Sequence, residues 1–511
     1  MSLRLALPFA LFGLAACQDS TPTASSSRPE PAAPSLSAAA QDDRLILPGE
    51  QDFARLAREQ PGFAGYHYDW ETGDLVASVK NLDRAEEARA AVEPVITQLR
   101  RVSERARRGR GGVRVRQVQF GFDELRVWRD HLTPVLFSKP QVLSIDLDEK
   151  ENRVWVGVRQ ASARAEVMAE AKRLGIPASA VTVQMVEPIC PAQGDTCDPC
   201  TVDPASCEPD PCETDPSSLE CQPPTTEPVE PDTTTESYCP PDVSCNITPG
   251  QTTVGDRYRP VLGGLLITRP KSYNPYSGWS YYTCTLGWNT IYNGQYAFVT
   301  NSHCTADMGT VNNNSAFYQW RYRDSDRLGY EAFDPPFNLT YDPYTFSYCS
   351  YGAKCRYSDA AVVTYNSGVN IQLRAIVRTE LWNGSRVIDQ TNPYFPILAE
   401  RTGRPVQDAA LDKVGYRTGW TYGRTIRTCV HHRSGTSDKF LFCQGEVQSY
   451  GTNRIVQGGD SGSPVFYWHG SYVDLQGILW GEVSNTGGKV FIFSPLENVF
   501  RDLGNVTSQV Y

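Results

Sequence analysis

The chain has 511 residues, a formal charge of −10 and fifteen cysteines. That length exceeds one ordinary domain and suffices for a sizeable core, and the acidic balance gives no electrostatic basis for binding nucleic acid. Fifteen cysteines are too many for a reducing compartment, which argues for export and disulfides.

Residues 1–16 carry one positive charge, at Arg4, and an apolar stretch from Leu5 to Leu14. Leu14-Ala15-Ala16-Cys17 then looks like a bacterial lipoprotein signal, cleaved before Cys17. The expectation is lipidation at Cys17 and a place in the bacterial cell envelope, or outside the cell after processing, with the lipid as the membrane contact. An ordinary secretory signal with a spare thiol is the plainer alternative. Setting Cys17 aside leaves fourteen cysteines, an even set. Residues 17–43, rich in Ser, Pro and Ala, read as a flexible tether.

Residues 44–186 are charged, free of cysteine and internally repeated. YHYDWETGDLVASV (66–79) precedes a helical pattern in LDRAEEARAAVEPVITQLRRV, and LSIDLDEKENRVWVGV (143–158) precedes another in SARAEVMAEAKRL. Each copy predicts a two-strand hairpin, turning near Thr72-Gly73 or Lys150-Glu151, and then an amphipathic helix. Together they predict a small α+β sandwich of sheet and helices. The basic run RRVSERARRGRGG (100–112) closes the first helix and reads as a solvated loop rather than a binding patch.

Residues 187–254 are dense in Pro, Thr, Asp and Glu and contain no Lys or Arg. They hold Cys190, Cys197, Cys200, Cys207, Cys212, Cys221, Cys239 and Cys245. Cys197-Asp-Pro-Cys200 raises the question of a metal, but the segment has no second CxxC at zinc spacing and no histidine. A disulfide-stapled linker is the reading, and no metal or cofactor is expected anywhere in the chain.

Residues 255–511 carry the chemistry. GGDSGSPVF (458–466) is on its face a glycine-rich turn before a strand, and a serine hydroxyl there is a poor nucleophile until a base takes its proton. Of six histidines, His303 stands out, because in YAFVTNSHCTA a β-rich run ends in a short polar turn beside Cys304. The bland alternative is a surface histidine next to a structural cystine. Asp359 in YSDAAVVTYN, at the start of an apolar β-branched run, is the best carboxylate to hold the imidazole, with Asp342 the runner-up.

With His303, Asp359 and Ser461 in that order, the sequence resembles the chymotrypsin-fold serine proteases, and within them the bacterial streptogrisin and alpha-lytic group. CTLGWNTIYNGQYAFVTNSHC (284–304), SDAAVV, KVGYRTGWTYG (413–423), GGDSGSP and VFIFSPLENVFRDLG (490–504) each look like a segment of that group, in the group's order. The resemblance implies an all-β, trypsin-like catalytic domain, a double six-stranded antiparallel β-barrel over 255–511, preceded by the small α+β domain. It implies peptide-bond hydrolysis on protein or peptide substrates, with Ser461 as nucleophile, His303 as base and then acid, and Asp359 orienting it. The N–H groups of Gly459 and Ser461 would form the oxyanion hole, Asp460 would be structural, and Arg417 matches the group's internal arginine that pairs with it.

Where the family reads Ser-Trp-Gly this chain reads Leu479-Trp480-Gly481, so a hydroxyl that usually supports the aspartate is missing. Ile455 matches the base of the S1 pocket, with Trp480 and Gly481 on its wall; no acid is there, and an apolar or aromatic P1 residue is expected over Lys or Arg. The resemblance also implies Cys284–Cys304 and Cys429–Cys443, leaving Cys349–Cys355 to close a small loop before Asp359. Residues 44–186 resemble the folding pro-regions of the same proteases, so a precursor that cuts itself within or just after the acidic segment is expected. The competing readings are an inactive binding module on a protease fold and a cell-surface scaffold in which the repeat and the linker do the work.

Overall fold

The computed structural model describes residues 50–191 and 251–509, apart from 275–277, 311–314, 343–346, 351, 381–383 and 435–437. The expected signal, the 17–43 tether with Cys17, and most of the 187–254 segment lie outside the described residues.

Residues 63–185 form the same unit twice. Strands β1 (Phe63–Asp69) and β2 (Asp74–Val79) make an antiparallel hairpin closed at Asp69 and Asp74. The helix α1 (Ala85–Val102) then carries the chain back so that β3 (Val113–Gln117) runs parallel to β2. A parallel return cannot be made by a tight turn, and the helix supplies the crossover. Ala88, Val92, Ile96 and Leu99, spaced three and four apart, are the buried stripe that seats it. In the second copy, β4 (Val142–Asp148) and β5 (Arg153–Val158) form the hairpin, α2 (Ala163–Arg173) the crossover and β6 (Val181–Met185) the parallel third strand. A short β7 (Ile189–Pro191) comes next.

The C-terminal half is built of strands. Its first sheet contains β8 (Leu266–Asn274), β9 (Gly278–Thr285), β10 (Trp288–Tyr292), β11 (Gln295–Thr300), β12 (Ala316–Tyr318), β13 (Arg327–Phe333) and β14 (Ala361–Tyr365) in the antiparallel order β9-β8-β12-β13-β14-β11-β10. The second contains β15 (Ala410–Gly415), β16 (Gly419–Arg433), β17 (Lys439–Gln448), β18 (Pro464–Trp468), β19 (Val473–Val483) and β20 (Val490–Pro495), and the helix Leu496–Leu503 closes the chain. Its order, β17-β20-β19-β18-β15-β16, continues without a break into β4-β5-β6. One apolar core joins the two sheets, with Phe298, Val362 and Trp288 from the first meeting Phe466, Leu475 and Ile478 from the second.

The N-terminal region is therefore annealed to the C-terminal half through β4 and β16, with Ile145 opposite His431 and Ser144 opposite His432. Charges interlock around that seam. Arg404 reaches Glu149 at 2.8 Å, Lys150 reaches Asp408 at 2.6 Å, and Arg105 reaches Asp412 at 2.9 Å. Arg427 lies 3.3 Å from Asp148 and 3.9 Å from Asp146. Burial pushes the Asp146 carboxyl up to about 7, against the pull of Arg427 and Arg404. An unfolded aspartate titrates near 3.9. The folded chain thus holds this proton more tightly, so stability should fall as pH rises from about 4 to about 7. Asp146→Asn is expected to flatten that part of a melting-temperature profile against pH; an unchanged slope would assign it to other groups.

Candidate active site

Register brings the first two residues of the site together. Strands β11 and β14 are neighbours, with Thr300 opposite Ala361, so the backbone continuing past Thr300 meets the backbone leading into Ala361. The former is a single 3₁₀ turn, Ser302–Cys304, stapled by the Cys284–Cys304 disulfide; the latter carries Asp359. His303 Nδ1 lies 2.6 Å from Asp359 Oδ2, and the backbone N–H of His303 donates to Asp359 Oδ1 at 3.1 Å. On its other side His303 Nε2 lies 2.8 Å from Ser461 Oγ. With a carboxylate at Nδ1, the proton belongs on that nitrogen, leaving Nε2 to accept from the serine hydroxyl. Asp342 is elsewhere, accepting a hydrogen bond from the Tyr357 hydroxyl at 3.0 Å.

Asp359 is fully buried. Burial acts to raise its carboxyl, but the charge and hydrogen bonds of His303 and the nearby Arg356 guanidinium outweigh it and hold the group below the ordinary carboxylate range. Arg356, itself buried, gives hydrogen bonds to Asp334, the carbonyls of Pro335 and Ala360, and Asp502 at 2.6–3.3 Å, and so clamps the stretch that carries Asp359. The hydroxyl missing at 479–481 is not replaced on the carboxylate itself; the Ser494 hydroxyl instead accepts the Asp359 backbone N–H at 3.1 Å.

Ser461 sits in a turn that only glycine permits. Gly459 and Gly462 have φ of +103° and +95°; a β-carbon on the first would collide with the Tyr416 ring, and on the second with the Thr285 carbonyl. Thr285 grips the loop, its N–H donating to the Ser461 carbonyl at 2.6 Å and its hydroxyl to the Gly459 carbonyl at 3.0 Å. Among the described residues neither the Gly459 nor the Ser461 N–H meets a backbone acceptor outside the sheets.

Asp460 points away from the nucleophile into the core. Its carboxylate accepts the N–H groups of Gln457, Arg417 and Thr418 and the Thr418 hydroxyl. Arg417, expected to pair with it, meets it through this backbone N–H. The ammonium within ion-pair distance is that of Lys413, at 3.2 Å, and both side chains are fully buried. Burial pushes the Lys413 amine down, and Asp460 counteracts it.

Ile455 is buried, with its N–H on the Gly488 carbonyl at 2.7 Å and its own carbonyl accepting from the hydroxyls of Thr418 and Thr421. The Trp480 ring is buried against Gln444, and its carbonyl stands 3.5 Å from Ser461 Oγ. Gly481 and Glu482 continue β19 past that point, and there β7 pairs with it antiparallel: Pro191 opposite Gly481, Cys190 opposite Glu482, Ile189 opposite Val483. Burial, with the Asp460 charge, pushes the Glu482 carboxyl up to about 7 against the pull of Arg454. Neither Glu482 nor Lys413 was singled out by the sequence.

The disulfides Cys284–Cys304, Cys349–Cys355 and Cys429–Cys443 are formed. His303, Cys284 and Cys304 bring three metal-type ligand atoms within 4.8 Å of one another, but the two sulfurs are bonded together and the ring nitrogens face Asp359 and Ser461. That cluster offers no thiolate to an ion.

No family model matches the sequence, and no curated protein matches it. Among solved structures the chain is similar to bacterial serine proteases. A glutamic acid specific serine protease is 21% identical, over 47% of this chain and 96% of the other, with a TM-score of 0.30. Thermobifida fusca protease A is 16% identical over 47% and 94%, with a TM-score of 0.30. The Nocardiopsis protease is 16% identical over 48% and 96%, also at 0.30.

Proposed function

We propose that the chain is an exported serine endopeptidase that hydrolyses protein or peptide substrates through an acyl-enzyme. The observation that carries this is the unbroken relay from Asp359 through His303 to Ser461, at 2.6 and 2.8 Å. Ser461 Oγ attacks the scissile carbonyl while His303 Nε2 takes its proton; the imidazolium, stabilised by Asp359, then protonates the leaving amine, and water repeats the sequence in reverse roles. The N–H groups of Gly459 and Ser461 receive the oxyanion. Ile455 at the base of S1 gives no charge for Lys or Arg, so an uncharged P1 residue is the expectation.

We further infer a self-processing precursor. A chain segment, β7, already lies on β19 as an added antiparallel strand, which is how a sheet edge holds an extended peptide. The region 44–186 templates folding of a slow, non-local β structure, and Cys17 anchors the chain to the envelope by lipid. The test is labelling with a fluorophosphonate probe. One adduct on Ser461, lost in Ser461→Ala, is expected; a folded chain that takes no label would make the protein an inactive binding module or scaffold.

A further inference from the structure

The strand β7 fixes the direction and the register of a chain entering the site. Each residue toward its C-terminus is one step along β19 toward Trp480, whose carbonyl stands beside Ser461 Oγ. The Ser484 N–H donates to the Pro188 carbonyl at 3.0 Å. In an antiparallel ladder bonded pairs alternate, so the next bonded pair is Glu482 with Cys190, and Pro191 falls where no ladder N–H is required. One further step in the same register would set Ala192 opposite Trp480 and offer its carbonyl to Ser461.

Cys190 lies on the acyl side of that bond, and it is disulfide-bonded. The six cysteines from Cys284 to Cys443 pair among themselves. The partner of Cys190 is thus drawn from Cys17 and the seven cysteines between Cys197 and Cys245, and all seven lie on the leaving side.

We propose that the chain cuts its own Ala192–Gln193 bond and that the N-terminal region then remains covalently attached through the Cys190 disulfide, giving a two-chain molecule rather than a freed pro-region. This rests on the protease reading of the site. Ser461 Oγ forms an ester with the Ala192 carbonyl, the bond to the Gln193 nitrogen breaks, and that nitrogen leaves as an amine with the proton from His303. Water then cleaves the ester, giving the Ala192 carboxylate and free Ser461. The cut falls at the start of the acidic segment, not within or after it, so that segment stays on the catalytic chain. The disulfide keeps the new C-terminus at a high effective concentration beside the cleft, and a reductant releases it.

The experiment compares the purified full-length chain with Ser461→Ala by electrophoresis with and without reductant, and then by N-terminal sequencing. The wild type is expected to run as one species without reductant and as two with it, the longer starting at Gln193. Ser461→Ala stays single in both. Disulfide mapping by mass spectrometry on the wild type should link Cys190 to a cysteine between 197 and 245, and this holds whether or not Cys190→Ser folds. A wild type that takes the fluorophosphonate label but separates without reductant, starts elsewhere, or is uncut overturns this inference alone. A chain that takes no label overturns the protease reading and this with it.

Discussion

Ser461→Ala is expected to lower kcat/KM by about 10⁴ or more while leaving the fold intact. The serine oxygen is buried, but its close hydrogen-bond partner is His303 Nε2 at 2.8 Å, with the Trp480 carbonyl a looser 3.5 Å away. Removing it costs about 1 kcal/mol of stability at most, the net worth of one neutral hydrogen bond. His303→Ala should lose as much activity, and the double variant little more, because the residues act as a unit. Asp359→Asn replaces the acceptor at Nδ1 with an amide, which permits the tautomer whose Nε2 carries the proton; a loss of about 10⁴ is expected from that alone. Asp342→Asn alters a carboxylate that serves the Tyr357 hydroxyl rather than His303, and it should stay within a few-fold of wild type. Steady-state kinetics on a peptide substrate, with circular dichroism to certify folding, reads all four. Retained turnover in Ser461→Ala would remove the serine from the reaction, and an inactive Asp342→Asn beside an active Asp359→Asn would exchange the two carboxylates.

The parts of the site that were legible in the sequence are those fixed by local chemistry. Asp359 and His303 each border an apolar β-branched run, and adjacent strands carry their flanking residues to one end of the sheet. Gly459 and Gly462 announce a backbone that no other residue can adopt, and the two hairpins of the N-terminal region announce themselves by alternation and turn residues. The rest is set by tertiary context. Lys413 stands in Leu411-Asp412-Lys413-Val414, where alternation would send one face to solvent; instead all of Ala410–Gly415 is buried between β16 and β18. The position match pointed to Arg417, four residues on, which supplies a backbone N–H. Arg356 gave no signal, because its carboxylates, Asp334 and Asp502, are distant in sequence. The β4–β16 seam joins residues nearly three hundred positions apart, and β7 is three residues in a Pro- and Cys-rich stretch; neither has a periodicity to detect.

Lys413→Met should destabilise the protein by about 3–5 kcal/mol, the cost of leaving one member of a fully buried ion pair without its partner. Methionine fills similar space, so the loss is electrostatic rather than a cavity. The unpaired Asp460 must then take up a proton or turn toward water, and either change weakens its grip on the N–H groups of Gln457, Arg417 and Thr418. Those bonds hold the loop whose next residue is Ser461 and whose preceding residue is Gly459, so both N–H donors for the oxyanion move. Losing one such donor costs about 10²–10³ in kcat, and a fall of that order should accompany the fall in melting temperature. Lys413→Arg keeps the charge and should recover most of both quantities, which a purely steric role for the lysine would not predict. Lys413→Met combined with Asp460→Asn removes both charges and should regain much of the stability of the single variant, because an absent pair costs less than a broken one. Its activity should stay low, since an amide oxygen holds three N–H groups less firmly than a carboxylate. Melting curves and kcat/KM on the wild type and these three variants decide it: a Lys413→Met protein as stable and as active as wild type would mean that another group, Arg417 first among them, neutralises Asp460.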